Sequence, residues 1–315
     1  MYFPKLGTKP GRFELTEVGE KFGPITYPVD DWQIKLYAFM EDDYNPWYFT
    51  DDNPFGKRIA HASLLANNML QLFLTEYDPQ TIVGLHIEEE LWFCNPLFAN
   101  ETITIQGEYV EKFEKRGRGC ITMAATATAE DGRIILKRRG TEIMHILATE
   151  IKKDGKKAEV KGEAVTGEYD ESIPFAEKAS FDLKPGTAIR PLQKVLTAEQ
   201  AQVFSGVGFH FNNIHTNLQT ALDSGYPDLV VQGEQQVGCL TSLLVDFFGA
   251  NWFTSGHEKI KMVGHVLANE KLTFSGVVKD IKEEEDGKHR MYLHVWAKNE
   301  KGQMTILGWA DALID

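Results

Sequence analysis

Cysteine is scarce. Only Cys94, Cys120 and Cys239 occur in 315 residues. They are odd in number, far apart and form no Cys-x-x-Cys pair, which argues against a disulfide framework or a zinc knot. They read instead as small, buried apolar residues. No apolar run approaches the roughly 18 residues of a membrane-spanning helix. The start of the chain, Met1-Tyr-Phe-Pro-Lys5, shows no long apolar stretch behind basic residues, so no secretory signal is visible and a cytoplasmic location is expected. Positive charge is also short: 33 Lys and Arg stand against 46 Asp and Glu, for a net charge of −13. A nucleic-acid track or an anionic membrane surface would reward clustered Lys and Arg, so neither is an expected partner.

What is present is the composition of an ordinary soluble globular chain, 43% hydrophobic and 25% charged. The length suits two domains of about 150 residues, each able to bury enough apolar surface to offset the ordering of its backbone. Residues 1–30 are rich in Gly and Pro and read as an irregular lead-in. Trp32, Leu36, Phe39 and Met40 have helical spacing, and Asp43-Tyr-Asn-Pro-Trp-Tyr48 then forms a turn. A second apolar helix runs from His61 to Leu74. From Ile82 to Leu147 the pattern alternates, with strands over 102–110 and 120–128 and a hairpin at Glu130-Asp-Gly132. A helix followed by antiparallel strands reads as α+β. Residues 151–175, rich in Lys, Glu and Gly, read as a solvated linker between residues 1–150 and 176–315.

The second part repeats the first. Phe98-Ala-Asn-Glu-Thr-Ile-Thr-Ile-Gln-Gly107 returns as Leu267-Ala-Asn-Glu-Lys-Leu-Thr-Phe-Ser-Gly276, and Glu130-Asp-Gly132 as Glu300-Lys-Gly302. Gly140 answers to Gly308, Asp43–Tyr48 to His210–His215, and the helix at His61 to an apolar helix opening at Gln232-Gly233. The offsets stay between 167 and 171 residues. So constant a spacing over five landmarks marks two copies of one supersecondary unit, whose sheets can share an edge.

At these residues the sequence resembles the MaoC-like acyl dehydratase and (R)-specific enoyl-CoA hydratase family in its double hotdog form. The family motif Asp-x-Asn-Pro-x-His, followed after a loop by His-Gly at the start of a long helix, is matched in part by Asn212, His215, Gln232 and Gly233. Its first-half variant Asp-x-Asn-Pro-x-Tyr is matched by Asp43, Asn45, Pro46 and Tyr48. The resemblance implies an α+β double hotdog: two tandem hotdog repeats, each a long helix against an antiparallel sheet. It makes 176–315 the active copy and 1–150 a non-catalytic copy that widens an acyl tunnel.

The implied reaction is hydration of an enoyl thioester or its reverse, an enoyl-CoA hydratase or 3-hydroxyacyl dehydratase. It needs a base for water, an acid for the α-carbon, and donors for the carbonyl oxygen as it becomes enolate-like. Imidazole suits the proton work, and a helix N-terminus suits the oxyanion. Carried over, His215 is the acid/base, Gly233 the oxyanion donor and Asn212 a positioning group. His210, standing where the motif has Asp, is the partner of His215, with Asp43 and Asp223 as nominal replacements. Gln232, Asp43 and Tyr48 would line the substrate, and His61 would cap or pack its helix. Trp47, Phe49, Trp252 and Phe253 read as core. No organic cofactor or metal is required beyond the CoA of an acyl-CoA or carrier-linked substrate, and protomers could pair as a homodimer. Two other functions compete: thioester hydrolysis, and a non-catalytic acyl-CoA-binding or partner subunit, which the missing motif Asp would suit.

Overall fold

The computed structural model describes residues 6–82, 84–144, 164–206 and 212–314. The first half supplies β1 (Lys21–Val29), α1 (Asp31–Met40), α2 (Leu64–Leu70), β2 (Gly84–Phe93), β3 (Glu101–Lys115), β4 (Arg118–Ala129) and β5 (Ile134–Met144). The second supplies β6 (Leu192–Val195), α3 (Ala198–Gly206), α4 (Leu218–Asp223), α5 (Gly233–Phe248), α6 (Ala250–Ser255), β7 (His257–Met262), β8 (Lys271–Glu283), β9 (His289–Asn299) and β10 (Met304–Ile314).

All ten strands form one antiparallel sheet in the order β1-β3-β4-β5-β2-β7-β10-β9-β8-β6. Read from either edge, the two halves follow the same sequence of strands, so the repeat seen in the residues is a repeat of structure. The halves join where β2 pairs with β7, from Glu88↔Lys261 to Trp92↔His257. Gly140 and Gly308 lie on β5 and β10, the strands flanking this seam. A Cβ on Gly308 would collide with the Lys259 carbonyl, and one on Gly140 with the Arg138 guanidinium, which accounts for glycine at both repeat positions.

The sheet wraps around α5. This helix is buried nearly all round, every residue from Glu234 to Phe248 except Asp246 being covered, which makes it a central rather than a surface helix. It stops at Gly249, whose φ of 62° lies in the left-handed region that glycine tolerates. Its first-half counterpart is shorter: α2 has seven residues and passes into a tight turn of 3-10 helix, Gln71–Thr75. One apolar cluster runs through both halves, from Phe22 and Leu65 to Leu244 and Ile306.

Helix α1 begins as its sequence requires. The Asp30 carboxylate accepts from the Gln33 backbone and Gln33 Oε1 accepts from the Asp30 backbone, a reciprocal capping box. The lead-in differs from expectation, because Lys21–Val29 is a strand. Pro24 and Pro28 hide it, and they are tolerated because β1 is an edge strand paired only with β3, with a register shift between Phe22 and Ile25. Within the stretch expected as a linker, Val165 packs with Val277 and Trp296, and Gly167 accepts a hydrogen bond from Lys298.

Candidate active site

His215 sits in a tight turn that its neighbours build. Asn213 Oδ1 accepts from the His215 backbone N–H at 2.8 Å and from the Thr216 hydroxyl at 3.2 Å. Asn217 Oδ1 then caps α4 by accepting from Thr220 N–H at 3.0 Å. Imidazole Nδ1 makes a short bond to the Val230 carbonyl, at 2.6 Å. A carbonyl only accepts, so Nδ1 carries the proton, and in the neutral ring the lone pair is on Nε2. Val230 is in turn tied back by its own N–H to Ile214 O, and Val231 by its N–H to Val266 O. Three residues after Val230 comes Gly233, the first residue of α5. Gln232, at the cap position, makes no side-chain cap, and its Oε1 is buried with no hydrogen-bond partner among the described residues. The histidine and the helix start are thus parts of one braced segment.

The other expected members of this site are placed differently. Asn212 is exposed, and its Oδ1 accepts from Asn217 Nδ2 at 3.3 Å. It is the Asn213 side chain that points back into the turn. His210 lies outside the described residues.

A second constellation forms in the first half. Asp43 Oδ2 lies 3.3 Å from His61 Nε2 and accepts from the Tyr48 hydroxyl at 3.3 Å, while its Oδ1 accepts from Asn45 N–H at 3.1 Å. His61 Nδ1 accepts from Ser63 N–H at 3.2 Å, which leaves Nε2 as the donor toward Asp43 and Ser242 Oγ, the latter at 3.0 Å. His61 therefore does more than cap or pack. Helix α2 starts later, at Leu64, and the imidazole joins Asp43 to Ser242 of α5 across the two halves. Burial opposes the charge on Asp43, but the hydrogen bond from His61, with help from Ser242 and Lys194, outweighs it and holds the carboxyl at about 2. Tyr48 is fully buried. Two residues earlier, the buried Glu41 lies against Gly238 of α5 and accepts from Cys239 Sγ at 3.2 Å; burial drives its carboxyl well above the usual range. Neighbouring carboxyls are thus pushed in opposite directions.

A third group lies at the seam beneath the start of α5. Arg138 holds both oxygens of Glu89, at 2.7 Å each, and His86 Nε2 lies 2.8 Å from Glu89 Oε2. Glu234 lies beside them, and Thr241 donates to Glu258 at 2.8 Å. Burial raises Glu89 to about 7 and Glu234 and Glu258 to about 8.

Asp43 and Tyr48 are thus brought together with His61 and Ser242, while His215 is brought to Val230, close in the chain to Gln232 and Gly233. Asp223 ends α4 and accepts from Gln219. His61 could have been read from the repeat, since it occupies the position of Gln232. Ser242 and Glu41 carry no local signal, because only the packing of the first half on α5 gives them partners. Trp252 and Phe253 are buried, and Trp47 and Phe49 are partly buried against the same core.

No family model matches the sequence, and no curated protein matches it. Solved structures do. One described as a MaoC-like dehydratase is 18% identical over 96% of this chain and 99% of its own, with a TM-score of 0.73. A MaoC-like dehydratase from Phytophthora capsici is 13% identical over 94% and 96%, with a TM-score of 0.63. A conserved hypothetical protein from Mycobacterium tuberculosis with a double hotdog fold is 14% identical over 96% and 98%, with a TM-score of 0.62. The fold of this chain is the double hotdog.

Proposed function

We propose that this protein adds or removes water across the double bond of an enoyl thioester, as an enoyl-CoA hydratase or 3-hydroxyacyl-CoA dehydratase. The observation that carries the reading is the bond from His215 Nδ1 to the Val230 carbonyl. It puts the ring proton on Nδ1, so that Nε2 is the basic nitrogen of the neutral ring, and it ties the imidazole to the segment that opens α5. In the hydration direction, water loses a proton to Nε2 of His215 as its oxygen attacks the β-carbon. The thioester carbonyl gains negative charge, and the Gly233 N–H at the helix start stabilises it. The imidazolium then returns a proton toward the α-carbon. His210 is the partner of His215 in this proposal, and the CoA of the substrate is the one non-protein group the reaction calls for.

A second location is favoured by a separate observation. Asp43, His61 and Ser242 form a closed hydrogen-bonded set joining the halves, so the first half keeps the carboxylate that the second lacks. Crotonyl-CoA and longer enoyl-CoAs, followed by loss of the conjugated-thioester absorbance, test the reaction. His215→Ala is expected to abolish turnover, while Tyr48→Phe leaves it nearly intact. Full activity in His215→Ala with loss in Asp43→Asn would move the chemistry to the first half. Release of free thiol would make the protein a thioesterase. No turnover, with a rise in melting temperature on adding CoA esters, would make it a binding subunit.

A further inference from the structure

At the seam beneath α5 an imidazole nitrogen and a carboxyl face each other with no hydrogen bond between them. His86 Nε2 lies 2.8 Å from Glu89 Oε2 and 3.1 Å from the Glu88 carbonyl, two acceptors, so it carries the ring proton. The lone pair is then on Nδ1, which has no hydrogen-bond partner among the described residues. Nδ1 faces Glu234 Oε2 at 3.7 Å. Glu234 is 1% exposed, and neither of its carboxylate oxygens has a partner among the described residues.

A shared proton would draw such atoms to about 2.7–3.2 Å, and 3.7 Å is too long for it. A first-row metal ion bonds imidazole nitrogen and carboxylate oxygen at about 2.1 Å, and two such bonds span 3.7 Å at an angle of about 120°, near that of a tetrahedral or trigonal site. Behind His86 stands the arrangement a ligating histidine needs. Its other ring N–H is given to a carboxylate, Glu89, which is itself fixed by both oxygens on Arg138. Glu142 lies directly across from His86 in the β2–β5 register. Glu258, with its Oε2 also unpartnered among the described residues, faces the same helix through Thr241. Arg138 and the α5 N-terminus oppose a cation, yet four carboxylates surround that single guanidinium.

We propose that His86 and Glu234, with Glu89 orienting the imidazole, bind a divalent transition-metal ion that joins the two halves at the start of α5. The imidazole donor favours zinc or nickel over magnesium, calcium or manganese. No local motif betrays the site, because His86 and Glu89 come from β2 and Glu234 from α5, 145 residues further along the chain.

The test is titration calorimetry of the full chain with zinc and nickel chloride after dialysis against a chelator, together with melting temperatures with and without metal. One ion per chain is expected, with a rise in melting temperature on binding. The near-isosteric Glu234→Gln and His86→Asn are each expected to weaken binding by about tenfold or more and to abolish the thermal shift. Circular dichroism of both variants guards against simple misfolding. Failure of the chelator-treated wild type to bind would overturn the proposal, and so would variants that are folded and bind as the wild type does. The readout is binding, so either result leaves the hydratase reading to stand or fall on the crotonyl-CoA assay.

Discussion

Asp43 shows how much one contact can alter a side chain. Two residues from Glu41, whose carboxyl burial keeps protonated well above the usual range, it stays ionised down to about 2 because His61 reaches it from the turn ahead of α2. The sign of its effect on stability follows. A carboxyl with a depressed folded-state pKa adds stability above its unfolded value of 3.8, and that stability is lost as pH falls through about 2. At neutral pH the shift corresponds to about 2 kcal/mol. Denaturant unfolding at a series of pH values should therefore show the wild type more stable than Asp43→Asn near pH 6, with the two curves converging as pH approaches 2. A constant offset across that range would mean that the carboxylate–imidazole contact is not the source. The seam carboxyls Glu89, Glu234 and Glu258 pull the other way. Their raised values mean that stability fully present below the ordinary 4.5 is lost as pH rises through about 7 to 8.

At the scale of elements, α5 and the segment around Glu41 are fitted to each other. Gly238 has no Cβ because the Glu41 carboxyl occupies that space, and Cys239 and Ser242 on the same side of the helix contact Glu41 and His61. Gly238→Ala would gain helix propensity but must displace a buried carboxyl, so it is expected to destabilise the fold by about 1–3 kcal/mol. If the collision is the cause, adding Glu41→Ala should recover part of that loss, giving a non-additive double-mutant cycle in chemical denaturation. Additive losses would place the cause elsewhere on the helix. Much at this scale was legible in the residues. Asp30 and Gln33 announce the start of α1, and the apolar run after Gln232 announces α5, whose first residue is one later. Strand β1 was not legible, since its two prolines count against a strand unless its edge position is known. The length of α2 was hidden too, because the helical spacing continues through Leu74 while the backbone tightens after Leu70.

As a whole molecule, the protein is one ten-stranded sheet with one main core. Residues of both halves pack in that core, and the β2–β7 seam buries Glu89 and Glu258. Separating the halves would expose α5 and this seam. The chain is therefore expected to unfold in a single cooperative transition, with equal calorimetric and van't Hoff enthalpies and coincident fluorescence and circular dichroism curves. Two resolved transitions would show that the halves fold independently. Among the described residues no helix is long and apolar enough to cross a membrane.

The order of residues alone determined the repeat, the alternation of helix and strands within each copy, and the shared glycines, because these follow from local periodicity and constant spacing. Its resemblance to a known motif also singled out His215 and Gly233 as candidates. Tertiary structure decided the rest. It gave Asp43 to His61 rather than to His215, set Ser242 and Glu41 on facing sides of the junction between halves, and gathered His86, Glu89 and Glu234 under α5. Those side chains lie up to 201 residues apart in the chain. Their chemistry arises only when the seam closes, removes water and leaves each buried group to find its partner in the other half.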